Sequence, residues 1–171
     1  AFINSYIHEQ HPDVPVILFG HSLGGTIAFS YALRWPQTIQ AVAVWNATTN
    51  TNALHTVLNL VLAVEKIFRG KAAASIVNVL TFAQWGKAIK SRRTDFDWLS
   101  HDEAEVDKYI ADPLCGWPAP VSLWQDVSDG MADCADSAKL SALPKKLPFN
   151  LVGGDQDPAT EGGKAVLDLD R

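Results

Sequence analysis

The chain has 171 residues, of which 47% are hydrophobic and 19% are charged, and its formal net charge is -5. This composition is typical of one globular domain with a sizeable core, and the acidic balance argues against nucleic-acid binding, which needs a basic face. The two cysteines, Cys115 and Cys134, are too few for a disulfide framework or a cysteine metal site. We therefore expect no metal and no cofactor, and we expect a reducing, cytoplasmic compartment, with one disulfide bridge between the two cysteines as the alternative. The longest apolar segments are too short and too polar for a membrane span, which needs about 20 apolar residues.

The first half of the chain predicts a strand, a helix and a second strand. Residues 1–11 have helical spacing and end before Pro12, which disfavours helix at the preceding residue. An apolar run of strand length extends from Val14 to Phe19, and a helical pattern then continues without a breaker until Pro36. Residues 39–45 form a second apolar run, long enough for a strand buried on both faces. This order predicts a parallel βαβ unit.

The turn between the first strand and its helix reads Gly20-His21-Ser22-Leu23-Gly24. A sharp strand-to-helix turn strains the serine backbone and brings its flanks together, so glycine is expected on both sides because side chains there would collide. Ser22 then stands at a helix N-terminus, where the backbone N–H of Leu23 can donate to an oxyanion. This setting predicts a nucleophile elbow with Ser22 as nucleophile, while Gly20, His21 and Gly24 support the turn.

A long helical insertion separates the second strand from the third. Residues 47–52 are polar, and no strand pattern returns until about Phe149. Helices are predicted at 53–68, 73–90, 100–111 and 121–133, and the third begins with a capping box in which Ser100 caps free N–H groups and Glu103 reaches back. A strand over 147–154 and a helix after Gly162 complete the pattern. We predict a sheet core of residues 1–46 and 140–171, truncated at both ends, and a cap of residues 47–139 above the carboxyl ends of the strands. The apolar helices of this cap either line a lipid pocket or pack on each other.

A nucleophilic serine needs a base, usually histidine, which a carboxylate orients, and the chain order in this arrangement is serine, acid, histidine. Two aspartates follow the third strand. We predict Asp157 as the acid because it lies farther past the strand and Pro158 stiffens its turn, while Asp155 is the alternative and suits a turn-forming role. No histidine follows His101, so we expect the base beyond Arg171, and we expect the second oxyanion donor to precede the chain. Both ends of the chain look cut.

Four segments are informative about the family: residues 20–25, the cap segments 96–100 and 107–115, and residues 154–158. They resemble the monoacylglycerol lipase/lysophospholipase branch of the α/β-hydrolases, a group also known as serine aminopeptidase-like hydrolases. The resemblance implies a partial α/β-hydrolase fold with Ser22 as nucleophile, Asp157 as triad acid and the Leu23 N–H in the oxyanion hole. It implies hydrolysis of lipid-like esters through an acyl-enzyme, without a cofactor, and a transient contact of the cap with a membrane surface. Peptidase or thioesterase activity is an alternative because one triad serves all of these reactions, and so is an inactive fragment or a binding scaffold.

Overall fold

A computed structural model describes residues 2–49, 53–69 and 75–170 of the chain. Its strands are β1 (Ile17–His21), β2 (Ala41–Trp45) and β3 (Phe149–Val152), and they form one parallel sheet in the order β1-β2-β3. The predicted α/β class, with parallel strands and flanking helices, is confirmed. The helices are α1 (Phe2–Gln10), α2 (Leu23–Arg34), α3 (Ala53–Arg69), α4 (Ser75–Ala88), α5 (Glu103–Ala111), α6 (Val121–Cys134), α7 (Ser137–Ala142) and α8 (Lys164–Leu167), with short 3-10 helices at Pro36–Thr38, Pro158–Thr160 and Asp168–Asp170.

The sheet buries one face. Val42 and Val44 of β2 are fully buried in a cluster with side chains of α2, and Phe149 of β3 meets Phe29 edge to face at 5.6 Å between ring centroids. The opposite face exposes large apolar side chains, among them Phe19 and Trp45, whose rings meet edge to face at 5.2 Å. The prediction that residues 39–45 are buried on both faces is therefore wrong. Alternating side chains point to opposite faces, and α2 covers the face that carries the two valines.

The chain divides into two compact units. The first comprises Ala1–Thr51, Asp129–Gln156 and Thr160–Arg171 and contains the sheet. The second comprises Asn52–Ser128 and Asp157–Ala159 and is built on α3, α4, α5 and most of α6. The predicted start of a helix at residue 73, and residues 50–52 of the predicted polar linker, lie outside the described residues. Helix α7 was not predicted; Asp136 caps it by accepting hydrogen bonds from the N–H groups of Ala138 and Lys139.

Helices of the second unit pack on each other around a small apolar core. Leu62, Val77 and Val121 are buried there, and the rings of Phe82, Trp85, Trp98 and Trp124 form an adjoining aromatic cluster. Glu65 is also buried, with 2% of its surface exposed, and its Oε1 accepts a hydrogen bond from the Ile76 N–H at 3.0 Å. Because the first N–H groups of a helix lack intrahelical acceptors, this carboxylate satisfies one donor at the start of α4.

The predicted capping box at α5 is wrong. The helix begins at Glu103, and the residue before it, Asp102, is the N-cap, whose Oδ1 accepts a hydrogen bond from the Ala104 N–H at 2.9 Å. Ser100 lies two residues before this N-cap, and its Oγ accepts a hydrogen bond from the Asp102 N–H at 3.0 Å. Asp102 therefore occupies the capping position, and aspartate and serine are about equally good N-caps.

Candidate active site

Ser22 is the residue between the end of β1 and the start of α2. Its backbone has φ 54° and ψ -123°, a conformation that costs a non-glycine residue about 1–3 kcal/mol. Two hydrogen bonds fix it: the Ser22 N–H donates to the Trp45 carbonyl at 2.9 Å, and the Ser22 carbonyl accepts from the Gly25 N–H at 2.9 Å. The second strand and the first helical turn thus hold an exposed serine in a strained geometry.

The steric reason given for the two glycines applies to only one of them. A Cβ atom on Gly20 would lie 2.0 Å from the carbonyl oxygen of Gly24, whereas a Cβ on Gly24 would meet nothing within 4 Å. Gly25 is also tightly packed, because a Cβ there would lie 2.6 Å from the Cβ of Ala47. The turn therefore requires glycine two positions before the serine, at Gly20, and three positions after it, at Gly25. The predicted collision at Gly24 is wrong.

Leu23 is the first residue of α2, so its N–H is one of the helix N-terminal donors that have no intrahelical acceptor. These donors carry the positive end of the helix dipole, which suits a developing negative charge beside Ser22. His21 is exposed and lies in register with Trp45 of β2. Its position at the end of β1 is compatible with the predicted supporting role.

The two candidate acids differ in their surroundings. Asp157 Oδ1 accepts a hydrogen bond from the Ala159 N–H at 2.9 Å, which closes a local turn at the 3-10 helix Pro158–Thr160. The turn-forming behaviour expected of Asp155 is thus observed at Asp157. Asp155 lies in the first unit, where its carbonyl packs close to Gly162, while Asp157 belongs to the second unit. The pairing of Ser22 with Asp157 therefore stays a prediction.

One histidine of the second unit has a serine neighbour. His55 Nε2 lies 2.7 Å from Ser128 Oγ and 3.2 Å from the Ser128 carbonyl oxygen, and Ser128 is buried. A carbonyl oxygen only accepts, so Nε2 carries the proton, and the Ser128 hydroxyl donates to Oδ1 of Asn59. This arrangement joins α3 to α6 and gives Ser128 no base. The sequence carried no signal for it, since 73 residues separate the two partners.

A charged cluster joins α2 to α6 and α7 within the first unit. Asp133 accepts hydrogen bonds from Ser30 at 2.6 Å, from Arg34 at 2.9 Å and from Lys139. Burial alone would raise the pKa of Asp133, but these three donors outweigh it and lower the pKa to about 2. The neighbouring Cys134 thiol contacts the Thr26 carbonyl at 3.5 Å, and burial raises its pKa to about 12. Among the described residues, no group of three or more His, Cys, Asp or Glu side chains is placed to hold a metal ion.

The family model described as serine aminopeptidase, S33, a group of α/β-hydrolases, matches residues 1–167. The chain belongs to this hydrolase family. It is 28% identical over 163 residues to a monoacylglycerol lipase of Mycolicibacterium smegmatis, which covers 95% of the chain and 51% of that protein. It is 28% identical to the monoglyceride lipase of Mus musculus, over 94% of the chain and 47% of that protein. The chain thus spans about half the length of the curated relatives it matches.

Solved structures share the fold of this chain. A thermostable carboxyl esterase from Bacillus coagulans superposes with a TM-score of 0.81 and 25% identity, covering 99% of this chain and 55% of the esterase. The monoacylglycerol lipase of Paleococcus ferrophilus superposes with a TM-score of 0.63 and 24% identity over 98% of this chain and 58% of the lipase. The predicted partial α/β-hydrolase fold is confirmed.

Proposed function

We propose that this member of the family is a serine hydrolase that cleaves carboxylic esters of lipid-like substrates, such as a monoacylglycerol or a lysophospholipid. The observation that carries the proposal is the strained backbone of the exposed Ser22, held between β1 and α2. Two relatives named as lipases of monoacylglycerols support the substrate class. They also make ester bonds a better candidate than other acyl bonds.

In the proposed reaction, Ser22 Oγ attacks the ester carbonyl carbon, its proton passes to the histidine base, and the carbonyl oxygen becomes an oxyanion. The Leu23 N–H donates to that oxyanion, at the positive end of α2. Collapse of the tetrahedral intermediate expels the alcohol, which takes the proton back from the base, and leaves an acyl-enzyme. A water molecule then hydrolyses the acyl-enzyme to release the fatty acid and regenerate the serine. Asp157 orients the histidine base in this proposal, with Asp155 as the alternative acid. No histidine follows either aspartate in the sequence, and we assign the role of base to none of the five present.

Peptide hydrolysis is a second candidate because the matching family is described as a serine aminopeptidase. The same acyl transfer serves amides and thioesters, so the elbow geometry does not separate these substrates. A panel of one monoacylglycerol, one lysophospholipid, one aminoacyl anilide and one acyl thioester distinguishes them by kcat/KM. A non-catalytic binding scaffold is the remaining alternative, and it predicts turnover of none of the four.

The nucleophile is tested with a fluorophosphonate probe, which reacts with activated serines, on the protein at its full natural length. Labelling should disappear in Ser22→Ala. The matched control is Ser128→Ala, which should keep the labelling. It is chosen because the Ser128 hydroxyl lies beside a nitrogen of His55. Retained labelling of Ser22→Ala, or absent labelling of a folded wild-type protein, would show that Ser22 is not the nucleophile.

We further propose that residues 47–139 act as a cap over Ser22 and touch a membrane surface transiently, where lipid esters reside. We also propose a cytoplasmic location, which rests on the two cysteines, both of them free thiols. Among the described residues, no helix is long and apolar enough to cross a membrane. Fractionation of cells into cytosol and membrane, at low and at high salt, tests both proposals, since a transient surface contact should be lost at high salt.

A further inference from the structure

A second residue with strained backbone lies beside Ser22. Among the described residues other than glycine, a left-handed φ occurs at Ser22, Asn46 and Glu161, and the value at Asn46 is 47°. Ser22 follows β1 directly, and Asn46 follows β2 directly. His21 is in register with Trp45, so the residues after them, Ser22 and Asn46, lie side by side at the carboxyl edge of the sheet. Left-handed backbone is unfavourable for most L-residues, and asparagine tolerates it better than most.

The peptide group that joins Trp45 to Asn46 is hydrogen-bonded on both sides. Its carbonyl, which belongs to Trp45, accepts from the Ser22 N–H at 2.9 Å. Its N–H, which belongs to Asn46, donates to the Val152 carbonyl of β3 at 2.7 Å. A rotation of this one peptide group would therefore weaken both hydrogen bonds. Ser22 is thus attached to the peptide group that immediately precedes the left-handed turn.

The residues after Asn46 pack on the first turn of α2. Ala47 is buried and occupies the space beside Gly25, because a Cβ on Gly25 would lie 2.6 Å from the Ala47 Cβ. The next residue contributes a hydrogen bond, in which Thr26 Oγ1 donates to the Thr48 carbonyl at 3.4 Å. A negative φ at residue 46 would rotate the following chain by roughly 100° or more, so these contacts would be lost. The left-handed turn is therefore what brings this segment onto the helix that begins after Ser22.

We propose that Asn46 is a positioning residue for the nucleophile. Its left-handed backbone fixes the peptide group that binds the Ser22 N–H, and it directs Ala47 onto the first turn of α2. The inference rests on the proposed function in that Ser22 is the nucleophile, whereas the coupling of Asn46 to the serine turn requires no reaction. Glycine and asparagine adopt a left-handed φ most readily, and a β-branched residue does so least. Because the role belongs to the backbone of residue 46, glycine should preserve it and valine should not.

The first test measures hydrogen exchange by NMR in the protein at its full natural length. The N–H groups of Ser22 and Gly25 report the serine turn directly, since one donates to the Trp45 carbonyl and the other to the Ser22 carbonyl. Asn46→Val should raise both exchange rates about ten-fold, and Asn46→Gly should leave them within about two-fold of wild type. The control for a general loss of stability is Asp136→Ala, which removes the N-cap of α7 and should also leave both rates within about two-fold.

The second test measures hydrolysis of a monoacylglycerol by the same variants. Asn46→Val should lower kcat about ten-fold or more and change KM less than about two-fold, because a misplaced nucleophile slows the chemical step and leaves substrate binding intact. Asn46→Gly and Asp136→Ala should keep kcat within about two-fold. A loss that came only from lower stability would instead affect Asp136→Ala as well and would not be rescued by glycine.

A double-mutant cycle tests the packing of the segment on α2. Gly25→Ala places a new Cβ against the Ala47 Cβ and should lower the rate of fluorophosphonate labelling about ten-fold. Ala47→Gly removes the opposing atom, so the double variant should be labelled at least about five-fold faster than Gly25→Ala alone. A double variant that is no faster than Gly25→Ala would overturn the packing of Ala47 against the serine turn.

Circular dichroism and thermal unfolding confirm that each variant is folded, and Asn46→Ala takes the place of Asn46→Val if valine prevents folding. Wild-type exchange of the Ser22 N–H in Asn46→Val would overturn the proposal. So would an Asn46→Gly variant impaired as strongly as Asn46→Val. Failure of the proposed hydrolysis gives a different result: no variant cleaves the ester, yet the Ser22 N–H still exchanges faster in Asn46→Val than in Asn46→Gly.

Discussion

The geometry around the elbow predicts opposite outcomes for two similar substitutions, Gly20→Ala and Gly24→Ala. In Gly20→Ala the new methyl carbon would lie 2.0 Å from the Gly24 carbonyl oxygen, 2.4 Å from the Gly24 carbonyl carbon and 2.7 Å from the Gly25 nitrogen. All three are backbone atoms of the first turn of α2, so no side chain can rotate away. The turn must move by more than about 1 Å, since a relaxed Cβ keeps roughly 3.4 Å from its neighbours, and we expect a cost of about 3 kcal/mol or more.

Gly24→Ala is the matched control because its Cβ would meet nothing within 4 Å. Alanine is also the better helix former by up to about 1 kcal/mol, so this variant should be neutral or slightly more stable. Urea and thermal unfolding of the 171-residue chain measure both changes. For a chain of this size we expect Gly20→Ala to lower the Tm by about 10 °C and Gly24→Ala to leave it within about 3 °C. A fluorophosphonate probe on the full-length protein should then label Gly24→Ala and fail to label Gly20→Ala.

The two variants together show whether the loss of stability comes from a collision at Gly20 or from any added side chain in this turn. A Gly20→Ala chain that unfolds within about 1 kcal/mol of wild type would refute the close approach of β1 to α2. Equal losses of stability in both variants would refute the assignment of different roles to the two glycines.

Three further predictions concern stability and thiol reactivity. Asp133→Asn should cost about 1–2 kcal/mol at pH 7. Because the folded-state pKa of about 2 lies below the ordinary aspartate pKa of 3.8, this difference should shrink as the pH falls from 4 to 2, and a constant difference would contradict the role of the charge. Asp102→Ala should lower the free energy of unfolding in urea by about 1 kcal/mol, and Ser100→Ala should lower it distinctly less. The reverse order would show that Ser100, and not Asp102, caps α5. An alkylating reagent should modify the half-buried Cys115 in the native chain and spare Cys134, whose pKa of about 12 keeps the thiol protonated; equal rates for Cys134 in buffer and in urea would contradict this.

The elbow could be predicted from the sequence because its determinants are local. A strand, one strained residue and a helix follow one another within eighteen residues, and the pattern of glycines and apolar runs reports each of them. The capping residue of α5 was missed by two positions because Ser100 and Asp102 are both good caps and only the observed start of the helix separates them.

Partners far apart in the chain could not be predicted. The buried Glu65 looks like a surface residue in the sequence, and its burial becomes understandable only once its carboxylate lies at the start of α4. Ser30 and Asp133 are 103 residues apart, so periodicity gives no reason to pair them. The exposed sheet face was missed for a related reason: an apolar strand pattern indicates that a face can be buried, but it does not say which elements cover it.

The position of the insertion has a consequence for folding and for variation in the family. Ile17 of β1 pairs with Ala41, a nearby partner, whereas Val42 of β2 pairs with Phe149 across the whole insertion. We expect β1 and β2 to associate early in folding. Strand β3 should join the sheet late, because its pairing with β2 closes the long loop formed by the insertion. Loop-closure entropy rises only logarithmically, by about 0.6 kcal/mol for each doubling of length. The sheet therefore loses little stability when the inserted helices lengthen, shorten or change sequence, so the insertion can diverge while the serine turn stays fixed.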